Sequence, residues 1–324
     1  MTRTLAMILL GTSASSAGAQ TLTATCDSFA QVFASAPAGA TIRLSGSCGP
    51  ILLRNRHEPL IVEARSGPVA EVSVPPADVR GLTLTNVSNL TWRGGTIRAE
   101  GGFEPSSPVL GYAVRLTRGQ NIEFEGVRLT GAVRGIVISN SNDVRIRHGV
   151  FEGLRSDGVN FVDSQGLLLE SSRFRDFRPR PKICTRPDGT TVENISQKAC
   201  ENGGGTFRDG DHADIFQTWS NSSDILIRNN DIFTPLPGWS QGITTFGAQT
   251  VRSMRVLDNR VVTDHANAIV VARCTDGCLV RGNHVSRASN EAPWAVGIRL
   301  EGGTTVACGN VVTDPRRPLG TEPC

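Results

Sequence analysis

Short segments of alternating apolar and polar residues recur along the sequence at regular intervals. NIEFEGVRL starts at residue 121, DVRIRHGVF at 143 and GLLLESSRF at 166, so successive starts are 22 and 23 residues apart. Similar segments start at residues 224, 254, 278 and 305. The wider gap between residues 166 and 224 indicates an insertion. Short strands at this period, with turn residues and no helical pattern between them, predict a solenoid of stacked parallel strands.

A second short strand precedes each of these segments. Its apolar residues predict an inward column: Val114, Ile136, Val159, Phe216, Ile243, Ile269 and Ile298. Side chains alternate in a strand, so the next residues form an outward column: Arg115, Val137, Asn160, Gln217, Thr244, Val270 and Arg299. Two positions before the inward column lies a polar set: Tyr112, Arg134, Asp157, Asp214, Gln241 and Asn267.

Asparagine occupies one position of the later units, which predicts a ladder of side chains bonded from turn to turn: Asn230, Asn259, Asn283 and Asn310. With these features the chain resembles the right-handed parallel β-helix proteins of the pectin-lyase-like superfamily, over most of residues 40–315. The resemblance implies an all-β, single-domain right-handed parallel β-helix (solenoid) with a short N-terminal capping helix. It leaves the reaction open, because the superfamily contains lyases, hydrolases, epimerases and noncatalytic spikes.

The N-terminal region predicts a leader and a cap. The leader has a positive start, the apolar run LAMILLG and a small-residue cleavage site, which is typical of an export signal. After it comes an amphipathic segment whose apolar face carries Phe29, Val32 and Phe33, suited to covering the open end of a solenoid. We therefore divide the chain into a signal peptide (1–19), an N-terminal cap (20–40) and a β-helix (41–324) with an insertion at 178–207.

Eight cysteines, an even number in an exported chain, fall into local couples: Cys26 with Cys48, Cys184 with Cys200, Cys274 with Cys278, and Cys308 with Cys324. This pattern predicts four local disulfides. Zinc ligation by Cys274 and Cys278 is the alternative for the closest couple. The Cys184–Cys200 bridge would staple the insertion into a loop, which we expect to wall one side of a groove.

Charge and hydropathy narrow the partners. A net charge of +3 is too mild to indicate nucleic acid, and no segment after the leader has the apolar length of a membrane span. We expect a soluble, monomeric protein, secreted or periplasmic, with a polysaccharide as its partner. Lys182 and Lys198 are the only lysines, so most positive charge is arginine, which pairs with carboxylates in a forked geometry.

The stretch RDGDHADIFQTWS (208–220) concentrates reactive side chains at the centre of the solenoid. Adjacent coils lie about 4.8 Å apart, so Asp157, Asp214 and Gln241 should be neighbours although distant in sequence. We expect His212 and Asp214 to face a groove, where neighbouring carboxylates perturb one another's pKa. The other candidate contacts for a substrate are Gln217, Trp219, Asn160, Arg115, Gln241, Phe246 and Arg299.

The leading hypothesis is a polysaccharide lyase acting on a uronic-acid polymer. β-Elimination needs a base for the proton beside the carboxylate, a positive group to stabilise the enolate and an acid for the leaving oxygen. His212 is the candidate base, Arg134 or Arg115 the stabiliser, and Tyr112 the acid.

Two other hypotheses remain open. One is an inverting glycoside hydrolase that uses Asp214 with Asp157 or Asp211 as acid and base. The other is a noncatalytic glycan-binding or adhesin solenoid, in which the acids carry no chemistry. The resemblance also implies that Asp157, Asp211 and Asp214 hold Ca²⁺ as a cofactor, although no complete family motif is present.

Overall fold

The computed structural model describes residues 20–64, 68–69, 72–73, 77–99, 111–193, 196–211, 213–235, 240–246, 250–289, 295–314, 319–320 and 324. Over these ranges the chain winds into coils of parallel strands. A typical coil gives two strands to a larger sheet and one strand to a smaller sheet. The predicted right-handed parallel β-helix is confirmed.

The larger sheet has 19 strands within the described residues: Thr21–Thr25, Ala40–Ser45, Ile51–Arg56, Leu60–Glu63, Leu82–Arg93, Tyr112–Thr117, Gln120–Glu125, Arg134–Ser139, Asn142–Arg147, Val159–Val162, Gln165–Glu170, Asp214–Thr218, Ser222–Arg228, Gln241–Thr245, Val251–Leu257, Asn267–Thr275, Leu279–Arg281, Gly297–Gly303 and Val306–Cys308. The smaller sheet has 11 strands in the same part of the chain: Ser47–Cys48, Asp78–Arg80, Thr96–Arg98, Arg128–Thr130, Val150–Glu152, Arg173–Arg175, Asp231–Thr234, Arg260–Thr263, His284–Ser286, Val311–Thr313 and Leu319–Gly320. Pro68–Val69 and Val72–Ser73 form a separate antiparallel pair.

The strand register matches the predicted columns. The inward column is paired step by step from Val114 to Ile298, and its first six members are fully buried. The outward column keeps its register from Arg115 to Arg299, but the middle of it is not exposed. Asn160, Thr244 and Val270 have no solvent-exposed surface, which corrects the expectation of an open polar face.

The asparagine ladder is confirmed. The side-chain amide of Asn230 donates to Oδ1 of Asn259 at 2.9 Å, Asn259 donates to Asn283 at 3.0 Å, and Asn283 donates to Asn310 at 2.9 Å. Each amide also donates to a backbone carbonyl within the core. The ladder satisfies buried polar groups where each coil turns into its third strand.

The predicted N-terminal helix spans Cys26–Ser35. Phe29 and Phe33 are buried, and Phe29 meets Trp92 edge to face with ring centroids 6.0 Å apart. The last carbonyls of a helix lack partners within it. Here the buried guanidinium of Arg56 donates to the carbonyls of Phe33 and Ala36, both at 2.7 Å. The helix is thereby fixed to the strand Ile51–Arg56.

The insertion has a fold of its own. Its strands Ile183–Thr185, Thr191–Glu193 and Thr206–Arg208 form an antiparallel sheet, beside a short helix, Gln197–Asn202. The four predicted disulfides are all present, including Cys184–Cys200 in this loop. Zinc ligation at Cys274 and Cys278 is therefore wrong, because these two sulfurs are bonded to each other.

Residues 1–19, the predicted signal peptide, lie outside the described residues. Within the described part of the chain, no helix combines the length and apolar character that crossing a membrane requires. Disulfides persist in oxidising compartments, in keeping with an exported chain.

Candidate functional site

The polar set predicted at the start of the first strands is brought into one column. Tyr112 pairs with Arg134, and Asp214 pairs with Gln241. Asp157 lies between Arg134 and Asp214, bonded to both. Residues separated by 57 positions thus become neighbours because the insertion closes on itself and returns the chain to the next coil.

Asp157 is buried and its carboxylate is fully occupied. It accepts from Arg134 Nε at 2.9 Å, Ser156 Oγ at 3.0 Å, Asn160 Nδ2 at 3.1 Å and the backbone N–H of Asp214 at 3.2 Å. Four donors satisfy a carboxylate and hold it in one orientation. Asp157 therefore has a structural role, and the Arg134 guanidinium is bound to its carboxylate.

Asp214 differs from its neighbour, since only one of its oxygens is satisfied. Oδ1 accepts from Thr244 Oγ1 at 2.8 Å, whereas Oδ2 has no hydrogen-bond partner among the described residues. Burial, and next the carboxylate of Asp157, raise the pKa of Asp214 well above its ordinary value, against a smaller opposing effect of the Thr244 bond. Both effects favour the protonated form of the Asp214 carboxyl.

A cavity of about 420 Å³ opens beside Asp214. The coils contribute Asp214, Gln217, Gln241, Phe246, His265 and Asn267 to its wall, and the insertion side contributes Lys182 and Asp211. Asp214 borders the cavity from beneath, because its side chain has no solvent-exposed surface. This corrects the expectation that it stands openly in a groove. The loop expected to wall one side of the site does supply Lys182.

Asp211 joins the insertion to the β-helix. Its carboxylate forms ion pairs with Arg155, at 3.0 Å, and with Arg180, at 2.9 Å. The backbone N–H of Arg180 also donates to this carboxylate at 2.9 Å, and the backbone N–H of Asp211 donates to the Arg180 carbonyl oxygen at 3.0 Å. Gly210 lies so close to the backbone of the insertion that an added Cβ would be 2.4 Å from the Arg180 carbonyl oxygen, so only glycine fits there. Asp211 is a carboxylate held rigidly at the edge of the cavity.

A chain of amide contacts lines the far wall. Asn267 Nδ2 donates to Gln241 Oε1 at 2.6 Å, and Arg299 donates to Asn267 Oδ1 at 2.8 Å. The backbone N–H of Asn267 donates to His265 Nδ1 at 3.1 Å. This bond assigns Nδ1 as the acceptor, which places the proton of a neutral His265 on Nε2.

The predicted aromatic platform lies at the end of the same strands. Phe246 lines the cavity, and its backbone N–H donates to Thr218 at 3.1 Å, beside Trp219. Trp219 is 40% exposed. Phe246 thus belongs to the cavity wall, and Trp219 is an exposed aromatic residue on the adjacent coil.

Tyr112, Arg115 and Asn160 do not line the cavity. The Arg115 guanidinium is 5.9 Å from the ring centroid of Tyr112, three coil steps before Asp214. Asn160 is buried and bonded to Asp157. His212 lies outside the described residues.

The calcium hypothesis does not fit the observed contacts. Over the described ranges, no group of three or more histidine, cysteine, aspartate or glutamate side chains is arranged to hold a metal ion. Asp157 and Asp211 are paired with guanidinium groups, whereas Ca²⁺ is bound by free carboxylate and carbonyl oxygens.

Comparisons with solved structures bear on the fold. The Streptococcus pneumoniae surface protein and adhesin PfbA aligns with a TM-score of 0.50 and 8% identity, over 85% of this chain and 84% of that one. The chain is a right-handed parallel β-helix protein. The Dettilon tailspike protein aligns at 14% identity and a TM-score of 0.46, over 86% of this chain and 57% of that one. The polygalacturonase from Erwinia carotovora aligns at 10% and 0.46, over 91% and 95%.

The similarity to PfbA bears on the fold alone. The chain spans a little over half the length of the tailspike. No family model matches the sequence, and no curated protein sequence matches it either. The site must therefore be interpreted from its own geometry.

Sequence reasoning missed two kinds of residue in this site. Lys182 comes from the insertion, whose path does not follow the repeat, and Arg155 and Arg180 are visible only as partners of Asp211. His265 carried a signal, because DHANAIV repeats the pattern of DHADIFQ.

Proposed function

We propose that this protein is an exported enzyme that cleaves a polysaccharide, with Asp214 as the general acid. The observation that supports this is a buried carboxyl of raised pKa beside an open cavity, with one oxygen that has no hydrogen-bond partner among the described residues. Cleavage of a glycosidic bond requires a proton for the leaving oxygen, and a carboxyl group whose pKa is raised can supply it. Asp214 must rotate toward the cavity to deliver it, since catalytic contacts often tighten only in the complex.

The walls of the cavity suit a sugar chain. Side-chain amides of Gln217 and Gln241 offer donors and acceptors for hydroxyl groups, and Phe246 with Trp219 offers an apolar platform. The four disulfides and the predicted export signal support secretion, which places the enzyme where polymers are found.

An inverting hydrolase fits this arrangement best. Asp214 would protonate the leaving oxygen while Asp211, held as a carboxylate between two arginines, activates a water on the opposite face of the sugar. That reaction requires carboxyl groups about 6.5–9.5 Å apart in the complex. The lyase hypothesis needs Arg134 to stabilise charge and Tyr112 to act as the acid. Arg134 is instead bonded to Asp157, and neither residue lines the cavity.

A lyase is the second candidate, and the position of Lys182 favours it. A lysine in the cavity can pair with a substrate carboxylate and stabilise the charge that develops beside it. His212 remains the proposed base, since the Nδ1 lone pair of His265 is already used.

Measuring both products on a panel of acidic and neutral polysaccharides tests the proposal. Reducing ends report either reaction, and ultraviolet absorbance of an unsaturated product reports only a lyase. We expect wild type to release reducing ends without that absorbance and Asp214→Asn to lose at least about a hundredfold in rate. The matched control is Asp163→Asn, which replaces an exposed aspartate directly after the strand Val159–Val162.

The outcomes separate the three classes of function. If absorbance of the unsaturated product rises together with reducing ends, the enzyme is a lyase and not a hydrolase. A polymer that is bound but not cleaved, and bound equally by Asp214→Asn, would indicate a noncatalytic adhesin, the description given to the solved structure of similar fold.

A further inference from the structure

A second cavity lies on the outer face of the smaller sheet. It measures about 240 Å³ and is lined by Arg173, Phe174, Arg175, Asp231, Phe233 and Arg260. None of these residues borders the cavity at Asp214. The two cavities therefore present separate surfaces.

The second cavity is built from three successive coils. Arg173 pairs with Asp231, which pairs with Arg260, so these side chains form one column along the solenoid axis. Arg175 pairs with Phe233 in a parallel column. Neighbouring coils in such a sheet are about 4.8 Å apart, so charged groups repeat along the axis at that spacing.

An aromatic ring is exposed among these charges. Phe233 is 42% exposed, although the next residue in its column, Val262, is 5% exposed. A single exposed apolar residue is common on protein surfaces. Phe233 is distinctive because three guanidinium groups surround it in one concave site.

Positive charge exceeds negative charge on this face. Four arginines (Arg128, Arg173, Arg175 and Arg260) meet two carboxylates (Glu152 and Asp231), which leaves two positive charges. The guanidinium group of Arg173 forms no ion pair or hydrogen bond with the described residues, in contrast to those of Arg175 and Arg260. The pairs of Arg175 with Glu152 and of Arg260 with Asp231 involve half-exposed arginines, and exposed pairs contribute little stability. An incoming anion can therefore replace the protein carboxylates at low cost.

We propose that this face binds an acidic polysaccharide without cleaving it. Sugar carboxylates pair with Arg173 and with its neighbours in the column, and the apolar face of a sugar ring lies on Phe233. Forked guanidinium groups suit carboxylates, and a polymer lying along the axis meets one arginine in each of two coils. The inference does not depend on the cleavage reaction, because it concerns a separate surface.

Binding measurements in the Asp214→Asn background test this inference without turnover. The probes are polygalacturonate, alginate, neutral dextran and single-stranded DNA, used in affinity electrophoresis and calorimetry. We expect Phe233→Ala to weaken binding of an acidic polymer about tenfold and Arg173→Ala about fivefold. The matched controls are Arg252→Ala, an exposed arginine of the larger sheet, and Val311→Ala, an exposed apolar residue of the smaller sheet. Both should bind like the background protein.

Three results would overturn the proposal. They are equal binding by Arg173→Ala and Arg252→Ala, equal retention on dextran and the acidic polymers, and tighter binding of DNA than of either acidic polymer. The two proposals can fail independently. Asp214→Asn tests cleavage, whereas Arg173→Ala and Phe233→Ala test polymer binding at the second cavity.

Discussion

Replacing Asp214 by asparagine tests whether this carboxyl is protonated in the folded protein. In the unfolded chain the group ionises at its ordinary pKa, near 3.8, whereas burial and Asp157 keep it protonated to a higher pH in the folded state. Between these two pKa values the folded state binds one more proton than the unfolded state. The free energy of unfolding that Asp214 contributes therefore falls as pH rises, by about 1.4 kcal/mol per pH unit for one proton.

Asparagine keeps the shape and stays neutral, so Asp214→Asn should lack this slope. Its Oδ1 can still accept from Thr244. We expect the variant to match wild type below the ordinary carboxyl pKa. Its advantage in stability should grow by about 1.4 kcal/mol per pH unit until the raised pKa of Asp214 is reached, and stay constant above it. Urea unfolding of both proteins from about pH 4 to about pH 8 measures the difference directly.

The comparison of two proteins cancels the titration of all other groups that the substitution leaves unchanged. Asp163→Asn, whose side chain is exposed, should show no such slope. A stability difference for Asp214→Asn that is the same at every pH would mean that Asp214 ionises normally, and the general acid proposed here would be refuted. Gain of stability together with loss of cleavage is the expected combination for a residue kept for function.

Three further changes have defined outcomes. Asn259→Ala removes a buried amide bonded to Asn230 and Asn283, and should lower the free energy of unfolding by about 2 kcal/mol in urea. The double change Cys184→Ser with Cys200→Ser should loosen the wall of the cavity and raise KM, while the main unfolding transition measured by circular dichroism stays within about 3 °C. Arg134→Ala leaves Asp157 without its cationic partner and should cost about 3 kcal/mol, whereas Arg134→Lys should recover part of that loss.

The sequence by itself determined the coil geometry. Alternation of apolar and polar residues fixed which side chains enter the core, and every step from Val114 to Ile298 has the predicted register. A shift by one residue would expose the entire apolar set, so a buried face specifies its register strongly. The cysteine couples and the asparagine ladder were equally predictable, because their partners recur at regular positions.

Only the tertiary structure decided the chemistry of the site. Alternation assigns a side chain to a face of a strand, but neighbouring coils decide whether that face meets solvent, which is why Asn160 and Thr244 are buried on the outward side. Arg134 bonds Asp157, whereas one oxygen of Asp214 has no hydrogen-bond partner among the described residues. The pKa of a carboxyl depends on burial and on charges within a few ångströms, and for Asp214 the charge comes from Asp157, on the preceding coil and far away in the sequence.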